Sequence, residues 1–262
     1  MKVLGKARCS EGVDMLNDLV NIMVLSGLAG LATGLGGLIV IIRRPGRKLL
    51  GFLMGLAAGI MIMLSFLELM SEALKISGLF PAATGFVAGS LLMFSLDLLL
   101  PHKYFAVEEK GIINGRLMKS GILIAIGISL HNFPEGVAVA SGYSYLPRLG
   151  FVIAVAIGLH NIPEGIAMSL PLYAAGSSKL AAVGLAFVSG LVEPLGALLA
   201  GFFLEFFSGL VPLGLAFASG VMAFITMDEL IPVAHEQGHE HSTSLGLIMG
   251  CIAMFILLGT LG

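Results

Sequence analysis

Hydrophobic residues run through this chain in eight long blocks, at positions 20–42, 49–70, 80–100, 117–141, 149–175, 180–207, 210–233 and 245–261. Each is close to the roughly 20 apolar residues that a helix needs to cross a bilayer. The intervals between them hold charge and turn formers, as in Arg43-Arg44-Pro45-Gly46-Arg47-Lys48, the stretch 102–110, Gly176-Ser177-Ser178-Lys179 and Ser208-Gly209. The pattern predicts an all-α integral membrane protein with eight transmembrane helices and no separate soluble domain, so that residues 1–262 form one transmembrane unit.

Composition agrees. Of 262 residues 57% are hydrophobic and 11% charged, and the mean hydropathy is +1.02. A soluble domain carries about 25% charged residues, so this chain lacks the polar groups to cover a water-facing surface. A net charge of -2 argues against a nucleic-acid partner. Cys9 and Cys251 lie far apart and suggest neither a disulfide framework nor a thiolate metal site. Glu11, Asp14 and Asp18 interrupt the leader, so the first block is expected to be a span rather than a cleaved signal.

Basic residues set the expected orientation. With the amino terminus outside, nine of them fall in cytoplasmic loops (Arg43, Arg44, Arg47, Lys48, Lys103, Lys110, Arg116, Lys119 and Lys179). Five fall outside (Lys2, Lys6, Arg8, Lys75 and Arg148). An even number of spans then makes both termini extracytoplasmic, in a plasma membrane or cell inner membrane.

Polar residues inside the blocks carry the chemistry. His131-Asn132-Phe133-Pro134-Glu135-Gly136 in the fourth block is repeated as His160-Asn161-Ile162-Pro163-Glu164-Gly165 in the fifth. On a helix His131 and Glu135 share a face, as do His160 and Glu164. Pro134 and Pro163 remove hydrogen bonds to Leu130 and Leu159, and each is expected to kink its helix. Glu193-Pro194 in the sixth block follows the same logic and frees Gly190. His131, His160 and Glu193 fall at similar depth. Ionised carboxylates there would repel one another, and no lysine or arginine lies in these stretches to neutralise them. Either the glutamates are protonated or a multivalent cation lies between them. Imidazole, amide and carboxylate together favour a borderline divalent ion, zinc first, then iron, manganese, cobalt or nickel. A polar network serving only to fix helix packing is the bland alternative, and duplication of the phrase weighs against it.

Other residues are weaker candidates. Met61 could offer a thioether or simply pack. Glu68 and Glu72, near the outer end of the second block, suit an entrance. Asp97, Asp228 and Glu229 lie toward inner ends, where helix-end solvation explains them as well as an exit path does. His235, His239 and His241 place three imidazoles within seven residues of one loop, on the side where an imported ion would leave. Gly51, Gly55 and Gly59 form a stripe suited to close helix packing or, alternatively, to sliding.

These motifs resemble the ZIP family of divalent metal transporters, and within it the ZupT-like bacterial branch. The two His-Asn-x-Pro-Glu-Gly phrases are the most specific elements. The stretch from Gly59-Ile60-Met61 to Phe66, Glu193-Pro194-Leu195-Gly196 and Met227-Asp228-Glu229-Leu230-Ile231-Pro232 also fit, and the likeness covers nearly the whole chain. The resemblance implies a binuclear metal site midway along a transport path. Met61, His131, Glu135, His160 and Glu164 would line one position. Asn132, Glu135, Asn161, Glu164 and Glu193 would line the other, with Glu135 and Glu164 bridging. It also implies movement of one helix bundle against another, which would suit the glycine stripe. The partners expected are divalent metal ions and the lipid bilayer, with zinc as the transported ion. The oligomeric state is open, a homodimer being one option. The competing reading is an intramembrane zinc-dependent hydrolase with Glu135 or Glu164 as general base. It lacks a His-Glu-x-x-His pair, and no serine stands out as a nucleophile.

Overall fold

A backbone in lipid must satisfy its polar groups internally, which leaves the helix as the natural form for these blocks. A computed structural model describes residues 12–99, 115–174 and 177–261. The predicted loop at 102–110, with Lys103 and Lys110, lies outside the described residues, as do Cys9 and the basic residues Lys2, Lys6 and Arg8. The first four helices in order are α1 Gly12–Ile42, α2 Arg47–Met63, α3 Ser71–Ser77 and α4 Leu79–Leu99. Then come α5 Gly115–Tyr145, α6 Pro147–Ala174, α7 Lys179–Gly190 and α8 Val192–Phe206. The last are α9 Val211–Ile225, α10 Ile231–Gln237 and α11 Glu240–Leu261.

Two of the joins are π-helical. Leu64–Met70 carries α2 into α3, and Thr226–Leu230 carries α9 into α10. With α7 and α8 counted as one interrupted rod, the eleven α-helices among the described residues make eight rods, one for each predicted block. Among the described residues seven are long and apolar enough to cross a membrane, from 20 to 31 residues each. The remaining rod is α5, 31 residues long, which bears the first polar phrase. The chain is therefore a multi-pass, all-helical membrane protein. The last rod is longer than its sequence block, because Glu240–Leu261 begins among the loop histidines.

The prolines of these phrases sit in different settings. Pro134 and Pro163 lie inside α5 and α6, which continue through them without interruption. Glu193-Pro194 is where the chain breaks. α7 ends at Gly190, Leu191 forms a turn, and Pro194 falls in the first turn of α8. A proline there has no intrahelical partner to lose.

The rods pack in two groups. One contains α1, α5, α6 and α7–α8; the other contains the α2, α4, α9 and α11 rods. They meet chiefly where α5 faces α9 and α2 faces α6. Small residues allow the closest approaches, as expected for helices that gain little from hydrophobic burial in lipid. A Cβ at Gly55 or Gly59 would strike the carbonyl oxygens of Thr243 and Leu247 on α11. One at Gly246 or Gly250 would strike Phe52 and Leu56 on α2. The glycine stripe is thus a close-packed seam inside one group, and it does not face the other group as a sliding surface would. Gly165 meets Thr33 in the same way between α6 and α1, and Gly136 meets Glu193 between α5 and α8.

Contacts at the rod ends fix their relative sense. Asn21 donates to the Tyr143 hydroxyl at 2.9 Å, and Arg148 donates to the Leu261 carbonyl at 2.6 Å. The beginning of α1 and the end of α11 therefore lie at the same end of the bundle. At the other end Arg47 donates to the Glu236 carbonyl at 3.2 Å, and Arg44 lies 4.3 Å from the Tyr173 ring centre.

Overpacking a tight seam costs roughly 1–3 kcal/mol, whereas alanine is a better helix residue than glycine where space is open. Gly59→Ala is expected to lower the thermal unfolding temperature of the detergent-solubilised protein. Gly27→Ala, where nothing lies within 4 Å, is expected to leave that temperature unchanged or raise it.

Candidate metal centre

Every polar residue of the two repeated phrases, and Glu193 with them, is buried. His131 is 3% exposed, Glu164 2%, and Asn132, Glu135, His160, Asn161 and Glu193 are at 0%. Helical spacing places these groups on inward faces of α5 and α6, and the break before α8 lets Glu193 approach them. His160 Nε2 and Glu135 Oε1 are hydrogen-bonded at 3.0 Å. Glu135, His160 and Glu164 offer ligand atoms that all lie within 4.8 Å of one another, a spacing that one ion can draw together.

The two asparagines are anchored alike. Asn132 Nδ2 donates to the Ser189 carbonyl at 2.8 Å, while Asn161 Nδ2 donates to the Ala29 carbonyl at 3.0 Å. Asn161 Nδ2 also donates to Glu193 Oε2 at 3.0 Å, and Ser26 Oγ donates to Glu193 Oε1 at 3.3 Å. The anchoring occupies the donor side of each amide. Asn132 Oδ1, Asn161 Oδ1, Glu135 Oε2 and Glu164 Oε2 remain buried without a hydrogen-bond partner. Four acceptor oxygens left bare in one interior are costly on their own account, and a cation is one kind of partner that would satisfy such oxygens.

The structure brings together Glu135, His160 and Glu164, and links Asn161 to Glu193. His131 is turned differently, with Nε2 3.1 Å from Glu229 Oε1. Met61 is fully buried on α2, which packs against α6. Glu68 and Glu72 line a cavity of about 200 Å³ with Tyr145, Leu146, Arg148 and Val152 at one end of the bundle; Lys75 pairs there with Glu72. Asp228 lies in the second π-helical segment, beside Glu229. His235, His239 and His241 are exposed at the opposite end and contribute nothing to the buried cluster.

Of the two readings left open for Glu229, solvation at a helix end is only part of its setting: it is half-buried and bonded to His131, in the π-helical turn of Thr226–Leu230 that shifts the register of the rod. Sequence reasoning also passes over Ser26 and Ser189. The signal for Ser26 is the run Ser26, Ala29, Gly30, Thr33, Gly37, small and polar at helical spacing along α1.

The family model of the ZIP zinc transporters matches residues 101–258. The chain is 40% identical to the zinc transporter ZupT of Akkermansia muciniphila, over 92% of this chain and 98% of that protein. It is 38% identical to the ZupT of Streptococcus mutans, over 93% and 98% of the two chains. The chain belongs to the ZIP zinc transporter family. The ZupT of Corynebacterium glutamicum is 41% identical, over 89% of this chain and 96% of that one. ZIP membership marks a transporter rather than an enzyme, and nothing found supports the hydrolase alternative.

Asn161 holds a Glu193 oxygen and a backbone carbonyl at once. Asn161→Leu strands both, at a cost of roughly 1–3 kcal/mol for a buried group left unsatisfied. The variant is expected to unfold at lower temperature than the parent protein in chelator-containing detergent, measured by tryptophan-independent dye fluorescence.

Proposed function

We propose that this chain carries divalent metal ions, zinc preferred, across the plasma membrane (a cell inner membrane) into the cytoplasm. The observation that carries the reading is the buried triad Glu135, His160 and Glu164, with ligand atoms within 4.8 Å of one another. Two carboxylates match the charge of one divalent ion, and a neutral imidazole adds the nitrogen that zinc prefers over magnesium. No thiolate is present in the set, which suits an ion that must also leave. Iron, manganese, cobalt and cadmium fit the same donors less selectively.

A second position, with Asn132, Asn161 and Glu193 beside the bridging Glu135 and Glu164, completes a binuclear site. It brings only Glu193 as a further charge, and the Asn161 amide already occupies one of that residue's oxygens. Met61 and His131 belong to the first position, and His131 reaches it by exchanging Glu229 for the ion.

The path begins at the cavity of Glu68 and Glu72, where carboxylates concentrate cations. It ends past Glu229 and Asp228. The bias of basic residues puts the Glu68 end outside and both termini extracytoplasmic. Residues 1–262 act as one transport unit. The buried ligands come from a single chain, so the reading holds for a monomer and for a homodimer alike.

Purified protein in liposomes enclosing a zinc-sensitive dye tests this. Zinc entry is expected with the parent protein and is expected to fall to the background of empty liposomes with Glu164→Ala. Entry that persists unchanged in Glu164→Ala, or that is absent from the parent protein, would sink the proposal.

A further inference from the structure

Two cations from different helices meet on one tyrosine. The Arg44 guanidinium, just past the end of α1, lies 4.3 Å from the centre of the Tyr173 ring, near the end of α6. The ammonium of Lys179, the first residue of α7, lies 6.0 Å from the same ring centre. The two charges are therefore within about 10 Å of each other. Both lie in the range over which an aromatic ring attracts a cation, so the ring gathers two long side chains that would otherwise spread apart. The supports are fixed. α1, α6 and α7 pack on one another, and the Ser178 hydroxyl oxygen caps α7 by accepting from Ala181 N at 3.1 Å.

Like charges held this close repel, and the local chain does little to offset them. Segments 19–67 and 165–192, which supply Arg44, Tyr173 and Lys179, carry five basic residues and no aspartate or glutamate. Glu236 reaches this end of the bundle from α10, and Arg47 meets it through its backbone carbonyl. Charge complementarity at this corner calls for an anion. The neighbouring residues say which kind. Ile42 is 83% exposed and Leu180 82%, each within two residues of one of the cations. Apolar spans give way to charge at this level, which is where basic side chains and tyrosine meet lipid headgroups. A phospholipid satisfies the cations and the bare apolar surface together, whereas a free phosphate satisfies only the cations.

We propose that Arg44, Tyr173 and Lys179 form a binding site for the headgroup of an anionic phospholipid, whose acyl chains run along the exposed apolar surface that begins at Ile42 and Leu180. Arg44 offers the phosphate a planar fork of donors, and Lys179 adds a second point charge. Tyr173 holds the two within reach of one headgroup. Basic pockets between helix ends suit such ligands. The bound lipid joins the ends of α1, α6 and α7, three helices of the group that carries His160 and Glu164. The site depends neither on the transport reading above nor on which end of the bundle is cytoplasmic.

Native mass spectrometry of the full chain tests this, in detergent with equal amounts of phosphatidylglycerol and phosphatidylethanolamine bearing the same acyl chains. The parent protein is expected to retain phosphatidylglycerol in preference to phosphatidylethanolamine, and equal retention of the two overturns the proposal without recourse to any variant. Arg44→Gln/Lys179→Gln is expected to weaken phosphatidylglycerol binding about tenfold, whereas Arg43→Gln/Lys48→Gln, which removes the same charge from the same end of the bundle, is expected to keep it within about twofold. Equal loss in the two double variants means that binding follows net charge alone, and overturns the site. Thermal unfolding of the parent protein separates the sources of phosphate. Phosphatidylglycerol is expected to raise its unfolding temperature, and inorganic phosphate at the same free concentration is expected to leave it unchanged. Stabilisation by inorganic phosphate equal to that by the lipid assigns the corner to a small anion and overturns the lipid site, as does the absence of any rise with phosphatidylglycerol.

Discussion

Glu135, Glu164 and Glu193 carry three carboxyl groups into an interior where no lysine or arginine is found against them among the described residues. Removing an ionised carboxylate from water costs on the order of several kcal/mol, even after the protein relaxes. Neutral donors recover part of that cost. Ser26 and Asn161 serve Glu193, and His160 serves one oxygen of Glu135. The oxygens still bare on Glu135 and Glu164 set the chemistry of the interior. The rest of the bundle has to keep those oxygens close together and dry.

It does so through backbone contact. Where Gly165 lies on Thr33, and Gly136 on Glu193, helices approach until a side chain would not fit between them. Close approach brings the main-chain carbonyls of α1 and α7 within reach of side chains on α5 and α6. Asn132 and Asn161 use those carbonyls, Ser189 and Ala29, to fix their amides. Small-residue packing and amide orientation are thus one device: a larger side chain at Gly165 would move α1, and with it the carbonyl that aims Asn161.

The eight rods, the two phrases and their shared depth were legible because they depend on local rules, namely span length, helical spacing and the cost of buried charge. Pairings across the fold were not. Nothing in the spacing of Gly51, Gly55 and Gly59 says that their neighbour is α11. Glu229 sits near the end of its block, where solvation and an exit path were equally open, and the contact with His131 from one π-helical segment could not be read from spacing. Pro134 and Pro163 each remove a helical hydrogen bond, yet α5 and α6 run on through them, while the same residue type at Pro194 coincides with an actual break. Proline marks a missing donor; whether the rod then stops depends on what packs around it.

The histidines face a choice that bears on how firmly an ion is held. With the glutamates ionised, the bonds between His160 and Glu135 and between His131 and Glu229 place a hydrogen on Nε2 of each ring. A metal needs a lone pair at the nitrogen it binds. An ion that takes Nε2 must displace that hydrogen and replace the hydrogen bond, and part of its ligation energy goes to the exchange. For His131 the bond given up also joins α5 to the rod of α9 and α10, across the boundary between the two groups of helices. An ion taken up by this residue would therefore also loosen one contact between the groups. Such a site would bind less tightly than its ligand count suggests, which is the condition for letting the ion go.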